Sequence, residues 1–166
     1  MHFHPGGSVM LFKELLEKEY ATIKEAHTMS RTARFKEQHE EMVKIVVKIS
    51  GFLDAAKIKG HEKDVVTLLS ELSGKLKIHL ATEDSTLYPD MLKHKNENVK
   101  TLANKYNSEM LGIRGAFDAY AKKWLSVATI EKDHGGFIKE TKGLFDVLAK
   151  RIDKENNELY PAFDAA

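Results

Sequence analysis

Proline occurs at only three places in this chain, positions 5, 89 and 161. Between them the apolar residues recur at steps of three and four rather than alternating, the spacing that lines one face of a helix and scatters across both faces of a strand. Four interior stripes can be written down. The first is Phe35, His39, Met42, Val46, Ile49 and Leu53; the second is Leu68, Leu72, Leu76, His79, Glu83 and Leu87. The third runs Val99, Leu102, Tyr106, Met110, Ile113, Phe117, Tyr120 and Trp124, and the fourth Phe137, Thr141, Leu144, Leu148, Arg151, Glu155 and Leu159. Long uninterrupted helical patterns of this kind make the fold class all-α.

Breakers fall between the stripes at "KIKGHEKD" (57–64), "KHKNEN" (93–98) and "LSVATIEKD" (125–133). Connections this short favour antiparallel neighbours, so the sequence predicts an up-down antiparallel four-helix bundle over residues 31–166. Residues 1–30 form an extension, partly helical, whose amphipathic stretch "VMLFKELLEKEYATIKEAH" (9–27) either lengthens the first helix or packs across the bundle. At 166 residues one core is expected.

Each stripe is apolar except for a few polar intrusions, and those intrusions align. Two residues on antiparallel neighbours face each other when their midpoint falls in the intervening turn. The midpoint of 39 and 79 is 59, that of 79 and 110 is 94.5, and that of 110 and 151 is 130.5, each inside one of the three connections. His39, the pair His79 and Glu83, Met110, and the pair Arg151 and Glu155 are therefore expected in one layer across the core. Unpaired polar groups are costly there, so the layer needs partners or a metal. His79 and Glu83, one helical turn apart, can grip one ion together. Their frame also recurs: "HLATEDSTLYP" at 79–89 returns as "RIDKENNELYP" at 151–161, with arginine in place of histidine. With no cysteine in the chain, thiolate sites, iron-sulfur clusters and covalently attached haem are excluded, leaving histidine, carboxylate and methionine as ligands.

The histidine in "FKEQHEEMVKIV", the "HLATEDSTLYP" frame, "SEMLGI" in the third helix and "RIDKENNELYP" in the fourth together resemble the hemerythrin family in its bacterial HHE-domain form, over about residues 32–163. The resemblance implies a bundle holding a non-haem di-iron centre that binds or senses oxygen, nitric oxide or iron. Carried over by position, His39 and His79 are ligands, and Glu83 and Glu155 are the bridging carboxylates. Two family histidines are replaced, by Met110 and Arg151. Arginine has no lone pair to offer a cation, but it can supply a fixed charge beside Glu83 and Glu155. The expectation is thus an asymmetric, partly lost centre holding one or two iron ions, in which Arg151 occupies the second metal position.

Two alternatives stand beside it. One is a metal-free structural or interaction bundle with a buried ion network among the same residues. The other is noncovalent haem, for which Met110 is a candidate axial ligand, while Tyr106, one turn away, can hydrogen-bond a bound ligand. Met110, Tyr106 and Arg151 are therefore candidate cofactor-binding residues. No nucleophile and base arrangement or phosphate-cradling loop is visible, so binding is favoured over catalysis. A net charge of +1 gives no field to recruit nucleic acid or acidic lipid. The implied partners are a small diatomic ligand, and a second copy or a signalling protein; the absence of an apolar span and of a secretory signal reads as cytoplasmic. His61, His94 and His134 fall near connections, and His2, His4 and His27 outside the layer.

Overall fold

The computed structural model describes residues 7–25 and 30–166, with side chains described at 10–19 and 30–166. His2, His4 and His27 lie outside the described residues. The helices are α1 (Gly7–Glu25), α2 (Ala33–Ser50), α3 (Glu62–Thr82), α4 (Tyr88–Leu92), α5 (Glu97–Trp124), α6 (Val127–Lys132), α7 (His134–Lys154) and α8 (Tyr160–Asp164). A π turn at Glu83–Leu87 joins α3 to α4, and a second at Glu155–Leu159 joins α7 to α8. The all-α expectation holds, and no strand occurs among the described residues.

Local chemistry sets the helix starts. The Asn96 side chain accepts the Asn98 N–H ahead of α5, Ser126 accepts that of Thr129 ahead of α6, and Asp133 accepts that of Gly136 ahead of α7. Each satisfies a donor that the first turn leaves without an intrahelical partner. Ahead of α3 the chain reverses through Gly60, whose φ of +81° lies in the left-handed region open to glycine.

Consecutive long helices meet head to tail. Gln38 and Glu41 on α2 bond His79 and Lys75 on α3, and Tyr120 and Glu109 on α5 reach Thr141 and Arg151 on α7. Helix α2 also packs on α7, and α3 on α5. Along α2, α3 and α7 buried polar residues divide the core in two, and on α5 the division falls between Tyr106 and Met110. On one side lies an apolar cluster that includes Met42, Val46, Leu76, Leu80, Met110, Leu148 and Ile152; on the other, one built from Phe35, Leu87, Tyr88, Tyr106, Leu159, Tyr160 and Phe163. The layer expected from the midpoints is the boundary between them.

Two features differ from the sequence reading. Val65 and Leu69 point inward in α3 while Leu68 is only half-buried, because the buried face of that helix starts at Val65 and steps by four to Leu69 before joining the written stripe at Leu72. The third connection folds as α6, and Ile130 is buried beneath it. Of the two readings for the N-terminal amphipathic stretch, the described part is a separate helix, α1, that packs on α2 and α7 through Phe12 and Leu15 rather than lengthening α2.

Candidate metal centre

The two π turns explain how the repeated frame builds a site. In an α-helix residue i+5 points about 140° away from residue i. A π turn widens the helix, so that Tyr88 bonds through its N–H to the Glu83 carbonyl, Tyr160 does the same to Glu155, and each tyrosine returns to the face of its glutamate. The prolines that follow have no N–H to give and would clash with the carbonyl four residues back in a regular helix, which the wider turn relieves. Neither Tyr88-Pro89 nor Tyr160-Pro161 ends its helix, and the two hydroxyls enter the polar layer.

His39, His79, Glu83 and Glu155 are all buried, and one donor atom from each lies within 4.8 Å of every other. His39 Nε2 is 2.9 Å from Glu155 Oε2 and 3.1 Å from His79 Nε2. His79 Nε2 is 3.3 Å from Glu83 Oε1 and 3.8 Å from Glu155 Oε2. The opposite ring nitrogens are pinned by amides from neighbouring helices: His39 Nδ1 donates to Asn156 Oδ1 at 2.7 Å, and His79 Nδ1 donates to Gln38 Oε1 at 2.8 Å. Both imidazoles thus carry hydrogen on Nδ1 and turn Nε2 toward the centre. A proton or a cation has to lie between two Nε2 lone pairs that face each other in this way.

In the metal-free protein a proton fills that role. Burial alone would lower the affinity of His79 for a proton, but the hydrogen bonds to Glu155 and Glu83 outweigh it and push the pKa up to about 9. Glu155 is fully enclosed, which would raise its pKa, yet His39, His79 and the Arg151 charge hold it well below the usual carboxylate range. Glu83 is less well served. Its Oε1 accepts from the Tyr160 hydroxyl at 2.7 Å, while Oε2 is buried without a hydrogen-bond partner. Two imidazole nitrogens aimed inward and an orphaned carboxylate oxygen fit a divalent or trivalent cation.

Arg151 stands on the other side of Glu155. Its Nε donates to Glu155 Oε1 at 2.6 Å, and its Nη2 donates to the Tyr88 hydroxyl at 3.0 Å and to the Tyr106 carbonyl at 2.9 Å. The guanidinium therefore neutralises Glu155 through a direct pair and feels the charge of Glu83 without bonding to it. The ring of Tyr106 lies under the guanidinium, 4.6 Å from Cζ, and its hydroxyl donates to Glu158 at 2.7 Å, away from the four donors. Met110 lines a cavity of about 20 Å³ beside the centre, together with Phe12, Leu76, Leu148 and other apolar side chains and with His39, His79, Arg151 and Glu155. That space holds about one water-sized molecule and leaves no room for a haem.

Sequence reasoning missed Gln38, Asn156, Phe12 and Glu19. Gln38 and Asn156 sit next to His39 and Glu155 in the chain, off the apolar stripes, and each serves a histidine on another helix. Asn156 donates in turn to the Glu19 carboxylate on α1, whose pKa burial and the nearby Glu40 push up to about 7. The remaining described histidines are peripheral: His134 pairs with Glu62 at 2.8 Å and His61 with Asp64 at 3.1 Å, while His94 accepts the Asn96 N–H.

Two imidazoles and two carboxylates projecting from facing helices into a buried layer are a donor set that could hold a cation in the core of a helical bundle. The hemerythrin HHE cation-binding domain matches residues 30–163 of the chain, and the chain belongs to that family. No curated protein and no solved structure matches it. Among the described residues no helix is long and apolar enough to cross a membrane.

Proposed function

We propose that this protein is a binding or sensing module with one non-haem iron ion, held by His39, His79, Glu83 and Glu155, in which the Arg151 guanidinium takes the place of a second ion. The observation that carries the reading is the convergence of four buried donor atoms, one of them on a carboxylate whose other oxygen has no partner. The amide anchors Gln38 and Asn156 support it, because fixing a ring through its far nitrogen is how proteins orient metal-ligating histidines. The cavity of about 20 Å³ beside the donors suits a diatomic ligand such as oxygen or nitric oxide. Binding at such a site changes the charge or size of what lies between α2, α3 and α7, and that is the event a sensor would transmit.

A second reading is a metal-free polar layer, favoured by the ion pair His79 makes with Glu83 and Glu155 when it carries the proton. Metal content by plasma emission spectrometry, on protein purified without added metal and then reconstituted with iron, separates the two. Close to one tightly held iron per chain supports the iron centre. Two irons per chain refute the role given to Arg151, and none after reconstitution leaves the polar layer.

A further inference from the structure

The repeated frame places a tyrosine on each side of the polar layer, and the two can be compared. Tyr88, from the first copy, sets its hydroxyl oxygen against a cation that is part of the protein: it accepts from Arg151 Nη2 at 3.0 Å. Tyr160, from the second copy, sits at the matching place after its own π turn, but its hydroxyl enters the other half of the layer. There it lies 2.7 Å from Glu83 Oε1, 3.3 Å from Glu155 Oε2 and 3.4 Å from His39 Nε2. The four donors are separated from one another by similar distances, 2.9 to 3.8 Å among the pairs His39–Glu155, His39–His79, His79–Glu83 and His79–Glu155. All four donor atoms lie within 4.8 Å of one another, and oxygen and nitrogen atoms about 2.0 to 2.2 Å from one ion stand about 3 to 4 Å apart, so the Tyr160 oxygen is spaced from Glu83, Glu155 and His39 as a further donor to the same ion would be.

From this geometry we infer that Tyr160 is a ligand to the metal, bound as phenolate when the ion is ferric. The inference rests on the iron reading above and extends its donor set. When a ferric ion enters, the phenol O–H bond breaks, the oxygen gives an electron pair to the metal, and the proton passes to solvent; no electron is transferred, because the ion arrives already oxidised.

The test is to reconstitute the full chain with a ferric salt, remove excess iron, and record iron content, the visible spectrum and resonance Raman scattering. The expected result is a phenolate-to-iron charge-transfer band in the visible, with tyrosinate ring modes enhanced on excitation into it. The same protein loaded with zinc should be colourless. In Tyr160→Phe, loaded with excess ferric salt, the band should be absent from whatever iron the variant holds. Iron bound without the band, or a band that persists in folded, iron-loaded Tyr160→Phe, overturns the assignment and leaves the iron reading standing. Failure to take up iron at all overturns both. Should Tyr160→Phe not fold, Tyr88→Phe and Tyr106→Phe decide the matter. A band kept in both assigns the phenolate to Tyr160 among the described tyrosines, since the Tyr120 hydroxyl is paired with Thr141 at 2.7 Å; a band lost in either one overturns it.

Discussion

Arg151 is the residue whose replacement should reveal how the layer is balanced. It is 4% exposed, and its Nε pairs with Glu155 at 2.6 Å while its Nη2 serves the Tyr88 hydroxyl and the Tyr106 carbonyl. In Arg151→Met the aliphatic volume is largely kept and the charge is lost. Breaking a buried ion pair by removing one partner costs about 3 to 5 kcal/mol, because the remaining charge is stranded. Glu155 keeps His39 and His79 as donors, which places the expected loss near the lower end, about 3 kcal/mol, including the orphaned Tyr106 carbonyl. At about 2 to 4 °C per kcal/mol for a chain of this size, the melting temperature of the chelator-treated protein should fall by about 6 to 12 °C. Removing the stranded charge as well, in Arg151→Met with Glu155→Gln, should recover part of that loss, and the double-mutant cycle gives the coupling directly. A second arm replaces the fixed cation with a removable one. Met110→His combined with Arg151→His should raise the metal content from one ion per chain to two and make stability depend on metal, by about 4 kcal/mol at a thousandfold excess of metal over Kd. Thermal and urea unfolding followed by circular dichroism, with and without chelator, measure both arms. A loss below about 1 kcal/mol in Arg151→Met, comparable to a surface pair, would refute the reasoning, as would a folded double-histidine variant that binds no additional ion.

The proton on His79 sets the pH behaviour. Its folded pKa of about 9 lies above the ordinary ~6.5, so its contribution to the metal-free protein is complete below about pH 6.5 and is lost as pH rises through about 9; Glu155, held low, contributes above about pH 4.5 and that share is lost as pH falls. Urea midpoints of the chelated protein should therefore fall between about pH 4.5 and 7, as Glu19 gives up a proton that the folded state holds more tightly than the unfolded chain, and fall again as pH rises through ~9. Because the metal must displace the His79 proton, competition titrations against a chelator should show apparent affinity weakening steadily as pH drops below about 9, rather than only below the free-imidazole value. Asn156→Ala removes the anchor of His39 and should weaken metal binding by about 10- to 100-fold with helicity unchanged, and Gln38→Ala should do the same through His79. Phe12→Ala enlarges the cavity beside the donors and should cost about 3 to 5 kcal/mol in urea unfolding; a loss under ~1 kcal/mol would show that α1 is not seated as described.

Much of the layer could be read from the chain because helical spacing and turn position are linear properties. His39 facing His79, and Glu155 joining them, follow from counting residues on either side of a loop, and the structure brings those residues together. What the count cannot contain is curvature within a helix. The π turns shift Tyr88 and Tyr160 onto the glutamate face, so residues that an unbroken α-helical count points elsewhere become neighbours of the site. The same limit applied to Arg151: spacing gave its layer, whereas its choice of Glu155, Tyr88 and Tyr106 over Glu83 is decided by side-chain reach. Helix α1 was legible as amphipathic but not as placed, since no turn of defined length fixes where it docks, and with it Phe12 and Glu19 were out of reach. Gln38 and Asn156 carry no apolar periodicity at all and become recognisable only once their histidines are located on neighbouring helices.

The guanidinium at position 151 also bears on redox poise. An ion at the His39, His79 and Glu83 position would share Glu155 with a charge that neither dissociates nor titrates, held 2.6 Å from that carboxylate in a core sealed from solvent. Raising the oxidation state of such an ion brings more positive charge toward a fixed one, which moves the reduction potential upward, while a phenolate from Tyr160 moves it downward. The midpoint of the centre would then be set by two side chains from the same repeated frame acting in opposite senses, and it would not depend on how much metal the cell supplies to a second site.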